Sequence, residues 1–189
     1  MTKRERIIHT TLQLITQQGF HASPMSQIAR EAGVAAGTIY HYFSSKDELI
    51  RSAYKDVKKH MGDALIAGLD TNKSYKEQFE SLWKNLFRFF TANPLIFAFL
   101  EQYHHSPFIN QQTKEEGQTY YQPVLDFFQR GIEEQKLVPM ELELISGLIY
   151  GNIVTVTQLH IRKELQIDDN RLSQVIEASW NSIKNSKTP

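Results

Sequence analysis

Residues 28–49 read "IAREAGVAAGTIYHYFSSKDEL", and the reading of the whole chain turns on what that stretch builds. An apolar-periodic segment ends at Gly33, where a glycine can take the positive φ that stops a helix. A second segment of little more than two turns follows, roughly 35–42, and closes on Tyr40, Tyr42 and Phe43. Ser45 and Glu48 then stand at capping-box spacing ahead of Leu49, Ile50, Ala53, Tyr54 and Val57, the apolar face of a longer helix. Upstream, Ser23-Pro24 places a capping serine before a proline at the first helical position.

Two short helices joined by a tight glycine-containing turn form a helix-turn-helix, which lays its second helix in the DNA major groove. In that frame, Ile28, Val34 and Ile39 pin the two helices together, and Gly37 lets the second approach the DNA backbone. Thr38, Tyr40 and His41 project toward phosphates and base edges, and Lys46 with the amides that open the next helix holds a further phosphate. Tyr42 and Phe43 are expected to be packed aromatics covering a small core. The motif spans about residues 24–43.

Working outward, the first helix starts on a second capping box, Thr2 with Glu5, and carries Ile7, Ile8, Leu12 and Ile15 to a stop at Gly19. Residues 1–60 hold nine Lys or Arg against five acids, an excess of four positive charges, so the other 129 residues of this electrically neutral 189-residue chain carry an excess of four negative ones. A basic module able to meet phosphate is followed by an acidic one that is not. There is no cysteine, which excludes thiol catalysis, iron–sulfur clusters and thiolate zinc sites. The first residues run straight into charge and amphipathic pattern, so a soluble cytoplasmic protein without a membrane span is expected.

Beyond residue 70 the helices become longer and more aromatic, with expected spans near 74–92, 95–104, 112–136, 141–164 and 169–185. The fold class is therefore all-α. The concentration of Phe, Tyr and Trp suits either plain core packing or a cavity for an apolar or aromatic effector. Candidate effector residues, where helices four, five, seven and eight should converge, are Tyr54, Trp83, Phe87, Phe127, Ser146 and Ile149. Helices eight and nine resemble a pairing seam. Gly147 and Gly151 have small-xxx-small spacing, and Gln158, Val175, Ser179 and Trp180 lie along adjoining faces, all candidates for a two-fold interface with a second copy. In "EQYHH", Glu101 with His104 or His105 offers two metal ligands at best, so no metal and no cofactor is expected.

The run "IAREAGVAAGTIYHYFSSKDEL", preceded by "GF" and Ser-Pro, resembles the N-terminal domain of TetR-type transcriptional repressors over roughly residues 5–60. The resemblance implies a dimer of about nine helices per subunit: an N-terminal three-helix DNA-binding domain, 1–48, and a larger ligand-binding and dimerisation domain, 49–189. It implies a repressor of a palindromic operator released by a small hydrophobic or aromatic inducer. Tyr54 and Trp83 match positions that contact ligand in multidrug-sensing members. Ala35-Ala36 departs from the serine and basic residue common in the family, which shifts base reading toward Ser26 and Gln27 as well as Thr38, Tyr40 and His41. No P-loop, Gly-x-Ser-x-Gly, His-Glu-x-x-His or dinucleotide fingerprint is present, so an enzyme is not expected.

Overall fold

In the computed structural model, which describes residues 1–104, 115, 117 and 119–186, the chain is all-α. Nine α-helices occur among the described residues: α1 Lys3–Gln18, α2 Met25–Glu31, α3 Ala36–Tyr42, α4 Lys46–Ile66, α5 Tyr75–Ala92, α6 Pro94–His104, α7 Gln122–Glu133, α8 Leu142–Ile161 and α9 Asp169–Ile183. A 3-10 turn, Thr119–Tyr121, leads into α7, and the expected helix start near residue 112 lies outside the described residues. An isolated antiparallel bridge joins Leu137 to Lys184, and no strand longer than this occurs among the described residues. Of the histidine pair, His105 and the side chain of His104 lie outside the described residues.

The chain divides into two compact units, residues 1–60 with 93–119 and residues 61–92 with 120–189. In the first, α1 starts on the expected capping box: the Thr2 hydroxyl accepts from the Glu5 amide at 3.2 Å, and the Glu5 carboxylate accepts from the Thr2 amide at 2.8 Å. The start of α2 differs from expectation. Pro24 is its N-cap, while the buried Ser23 hydroxyl donates to the Gly19 carbonyl at 2.8 Å. Serine here ties the connecting loop back to the end of α1 rather than capping α2. Only half of the expected box opens α4: the Glu48 amide donates to Ser45 Oγ at 3.1 Å, but the Glu48 carboxylate accepts from Ser44. Helix α6 also belongs to this unit, where Gln102 Nε2 donates to the Thr16 carbonyl at 3.1 Å and an aromatic chain runs Phe20, Phe99, Tyr103, Tyr54.

In the second unit, α5 and α8 bury apolar rows against each other and against α7 and α9. Phe79, Leu82, Trp83, Leu86 and Phe90 of α5 and Ile145, Ile149 and Ile153 of α8 are all at most 5% exposed, and each fully buried side chain of this size stabilises by about 1.5–3 kcal/mol. Two polar anchors fix the ends. Asn85 Nδ2 donates to the Leu65 and Ala67 carbonyls, each at 2.9 Å, satisfying acceptors at the end of α4. The Tyr75 ring stacks on Phe127 with centroids 4.3 Å apart, and its hydroxyl donates to the Phe127 carbonyl at 2.9 Å.

That stack requires the missing side chain at Gly131, where an added Cβ would lie 2.1 Å from the Tyr75 hydroxyl. Gly131→Ala is expected to destabilise by about 1–3 kcal/mol despite alanine's better helix propensity, read as a lower thermal midpoint. Conversely, Thr157 Oγ1 is a buried hydroxyl without a hydrogen-bond partner. Replacing it by the isosteric valine removes an unsatisfied polar atom, and Thr157→Val should stabilise by up to about 1 kcal/mol, measured by denaturant titration.

Candidate functional site

The turn between α2 and α3 is a complete Schellman motif. Gly33 sits at φ 63°, its amide donates to the Arg30 carbonyl at 3.2 Å, and the Val34 amide donates to the Ala29 carbonyl at 3.0 Å. Ile28 and Ile39 are fully buried across this corner, and Val34 is half-buried. With Ile39 fixing one face of α3 inward, its opposite face is set by helical geometry. Ala36, Gly37, Tyr40 and His41 are exposed, Tyr40 by 56%, and Thr38 is half-buried. Ala35 caps α3 without a side-chain hydrogen bond.

Two expected contacts are already engaged within the protein. The Gln27 amide accepts from Gln18 Nε2 at 3.0 Å and donates to the Glu31 carboxylate at 2.8 Å, leaving exposed Ser26 as the neighbouring polar group of α2. Lys46 Nζ donates to the Phe20 carbonyl, and burial lowers its ammonium pKa from the usual lysine value. Tyr42 corrects a further expectation. It is 39% exposed, packing edge-on to His41 at 5.4 Å, while Phe43 alone closes the small core at 2% exposure. Phe43 lies just past the helix with extended backbone, φ −142°, so its ring leaves in a different direction from that of Tyr42. Arg4 lies 5.8 Å over the Phe43 ring and holds Asp56 of α4 through two hydrogen bonds, 2.6 and 3.2 Å, joining α1 to α4.

In the second unit an apolar cavity is lined by Leu65, Phe79, Leu82, Trp83, Leu86, Tyr121, Val124, Phe128, Ile149 and Ile153. Of the candidate effector residues, it brings together Trp83 and Ile149. Phe127 is one position from a lining residue but points at Tyr75, and Ser146 donates to the Leu142 carbonyl at 2.7 Å. Phe87 packs against His160 at 5.6 Å, and Tyr54 belongs to the first unit, stacked on Tyr103 at 4.3 Å. The added lining residues follow i, i+4 rows, Val124 with Phe128 and Ile149 with Ile153, a signal present in the sequence.

Trp83 is anchored by its polar edge. Its indole N–H donates to Ser179 Oγ at 3.2 Å, and Asn152 Nδ2 donates to the same oxygen at 3.3 Å. Ser179 is therefore turned into the core of the second unit at 2% exposure, and Trp180 packs on Phe79 at 5.4 Å. Of the remaining seam candidates, Gly147 and Gly151 are exposed with open space around them, and Gln158 and Val175 are half-buried. Among the described residues no cluster of three potential metal ligands occurs.

Two family models match the chain, the tetR family of bacterial regulatory proteins over residues 7–53 and the tetracyclin repressor-like C-terminal domain over residues 74–184. The chain belongs to the TetR family of bacterial transcriptional regulators, with a DNA-binding helix-turn-helix. It is 30% identical to a tetR-family transcription regulator from a Shewanella species, whose structure superimposes with a TM-score of 0.90 over 97% of this chain and 99% of that one. A TetR-family regulator from Vibrio parahaemolyticus is 32% identical over the same shares with a TM-score of 0.83. An uncharacterised HTH-type regulator from Haemophilus influenzae is 38% identical over 103 residues, 54% of this chain, and the match spans about half (55%) of the length of that curated relative.

The exposed face of α3 generates a direct expectation. Tyr40→Ala and His41→Ala should each weaken DNA binding about tenfold while changing stability by no more than about 0.5 kcal/mol. Ile39→Ala, by contrast, should cost about 2–5 kcal/mol of stability. Anisotropy titrations alongside thermal melts separate the two; undiminished affinity in both surface variants would remove α3 from the interface.

Proposed function

We propose that this regulator is a cytoplasmic homodimeric repressor that binds a palindromic operator and releases it when a small hydrophobic effector occupies the second unit. Residues 1–48 act on DNA, and 49–189 bind effector and pair the subunits. Ser26, Gly37, Thr38, Tyr40 and His41 make the DNA contacts, and Gln27 and Lys46 join them by exchanging their internal partners for DNA. Trp83 and Ile149 meet the effector, with Phe87, Phe127 and Ser146 of the same unit in supporting positions, whereas Tyr54 serves the first unit.

The observation that carries the dimer is α8. Its most apolar window has a mean hydropathy of 1.3, enough by length and composition for a membrane span, yet only 28% of it is buried. The uncovered stripe contains Leu144 and Leu148, 54% and 47% exposed, with Gly147 and Gly151 between and beyond them. Small residues let another helix approach closely, and a second copy presents the same stripe to itself about a two-fold axis. A dimer sets two recognition helices one DNA turn apart, about 34–36 Å. Effector binding acts through α4, whose Leu65 lines the cavity and whose Asp56 is held by Arg4. Release requires the effector to favour the DNA-free form.

The test is fluorescence anisotropy with the DNA upstream of the protein's own gene, at two salt concentrations, with and without candidate effectors. Tight, salt-sensitive binding relieved by one compound class supports the reading; binding untouched by every compound defeats the effector half of it. Gly151→Glu, placing unpaired charges across the stripe, should leave the monomer folded, shift sedimentation to monomer and weaken operator binding more than about tenfold.

A further inference from the structure

Resting on the effector reading above, the cavity says which chemistry the effector has. None of its ten lining residues carries a charge. The two polar side-chain atoms in the lining are neutral: the Trp83 indole nitrogen, already donating to Ser179, and the Tyr121 hydroxyl, whose ionisation burial pushes far above the usual tyrosine value. The space is also narrow, a void of about 20 Å³, room for one water as it stands. An occupant must enter by parting aliphatic and aromatic side chains from α5, α7 and α8, which suits a slender molecule. A carboxylate or ammonium drawn into that wall would find no opposite charge among the described lining residues and would lose its hydration uncompensated.

We propose that the second-unit cavity binds an uncharged, slender apolar effector, an alcohol, ketone or hydrocarbon chain, and discriminates against anions and lipophilic cations of the same skeleton. Discrimination comes from the missing counter-charge.

Three compounds with one skeleton test this on the full-length protein: 1-octanol, octanoate and octyltrimethylammonium at pH 7, followed by calorimetry and thermal melting. Octanol is expected to bind about tenfold or more tightly than either ion and to raise the thermal midpoint. Filling the cavity with Ile153→Phe, or more gently with Val124→Leu, should abolish the octanol shift. Binding of either ion as tight as octanol, no octanol binding, or octanol binding unchanged in both folded variants overturns the proposal. The operator arm separates this from the effector reading. Cavity-dependent octanol binding that leaves DNA affinity unchanged supports the chemistry and defeats the effector reading. DNA release by one of the ions with octanol inert does the reverse.

Discussion

An unbroken apolar stripe along α4 is the constraint on which the rest of the structure depends. Leu49, Ile50, Ala53 and Val57 are buried in the first unit, and Met61 and Leu65, on the same stripe, are buried in the second, all at 2% exposure or less. One helix of 21 residues thus serves two cores. A proline inside it would remove one of its backbone hydrogen bonds and kink it. Polar ties hold it at its midpoint, where Arg4 grips Asp56, and at its C-terminal end, where Asn85 satisfies the Leu65 and Ala67 carbonyls that the helix itself leaves open.

The helix-turn-helix and the second-unit cavity arise from opposite uses of the same packing logic. In the helix-turn-helix, burial is concentrated in Ile28 and Ile39 so that everything else on the short α3 can face outward. In the second unit, burial is spread over rows on α5, α7 and α8, and the cavity is what remains where large rings do not fill the space completely. Trp83 stands at the meeting point, with its ring in the lining and its N–H donating, alongside Asn152 Nδ2, to Ser179 Oγ. A polar bond there holds a bulky ring in one orientation beside space it would otherwise enter.

Much of this was legible in the sequence because it depends on local chemistry. Helical period gave the all-α class, the Thr2–Glu5 box gave the start of α1, and Gly33 marked the corner between α2 and α3, since only a left-handed residue closes it without strain. What failed was partner choice. Ser23 has the right spacing for a cap and spends its hydroxyl on Gly19 instead. Tyr42 and Phe43 are adjacent aromatics, and only three-dimensional packing decides which one turns inward. Among the effector candidates, periodicity identified buried rows but not the neighbour each ring selects, so Phe127 went to Tyr75 and Tyr54 to Tyr103. Periodicity placed Ser179 on a helical face but gave no sign of its bonds to Trp83 and Asn152, because a hydrogen bond across 27 positions leaves no mark on local pattern.

The bare N-terminus of α3 has an evolutionary consequence. Seven residues without a side-chain cap hold together through Ile39 and the Gly33 corner, so the exposed side contributes little to folding. A side chain added at Gly37 meets nothing within 4 Å. The outward positions of this helix can therefore accept substitution with little penalty to the scaffold; if, as proposed above, they contact DNA, sequence preference can change faster than the fold that carries it.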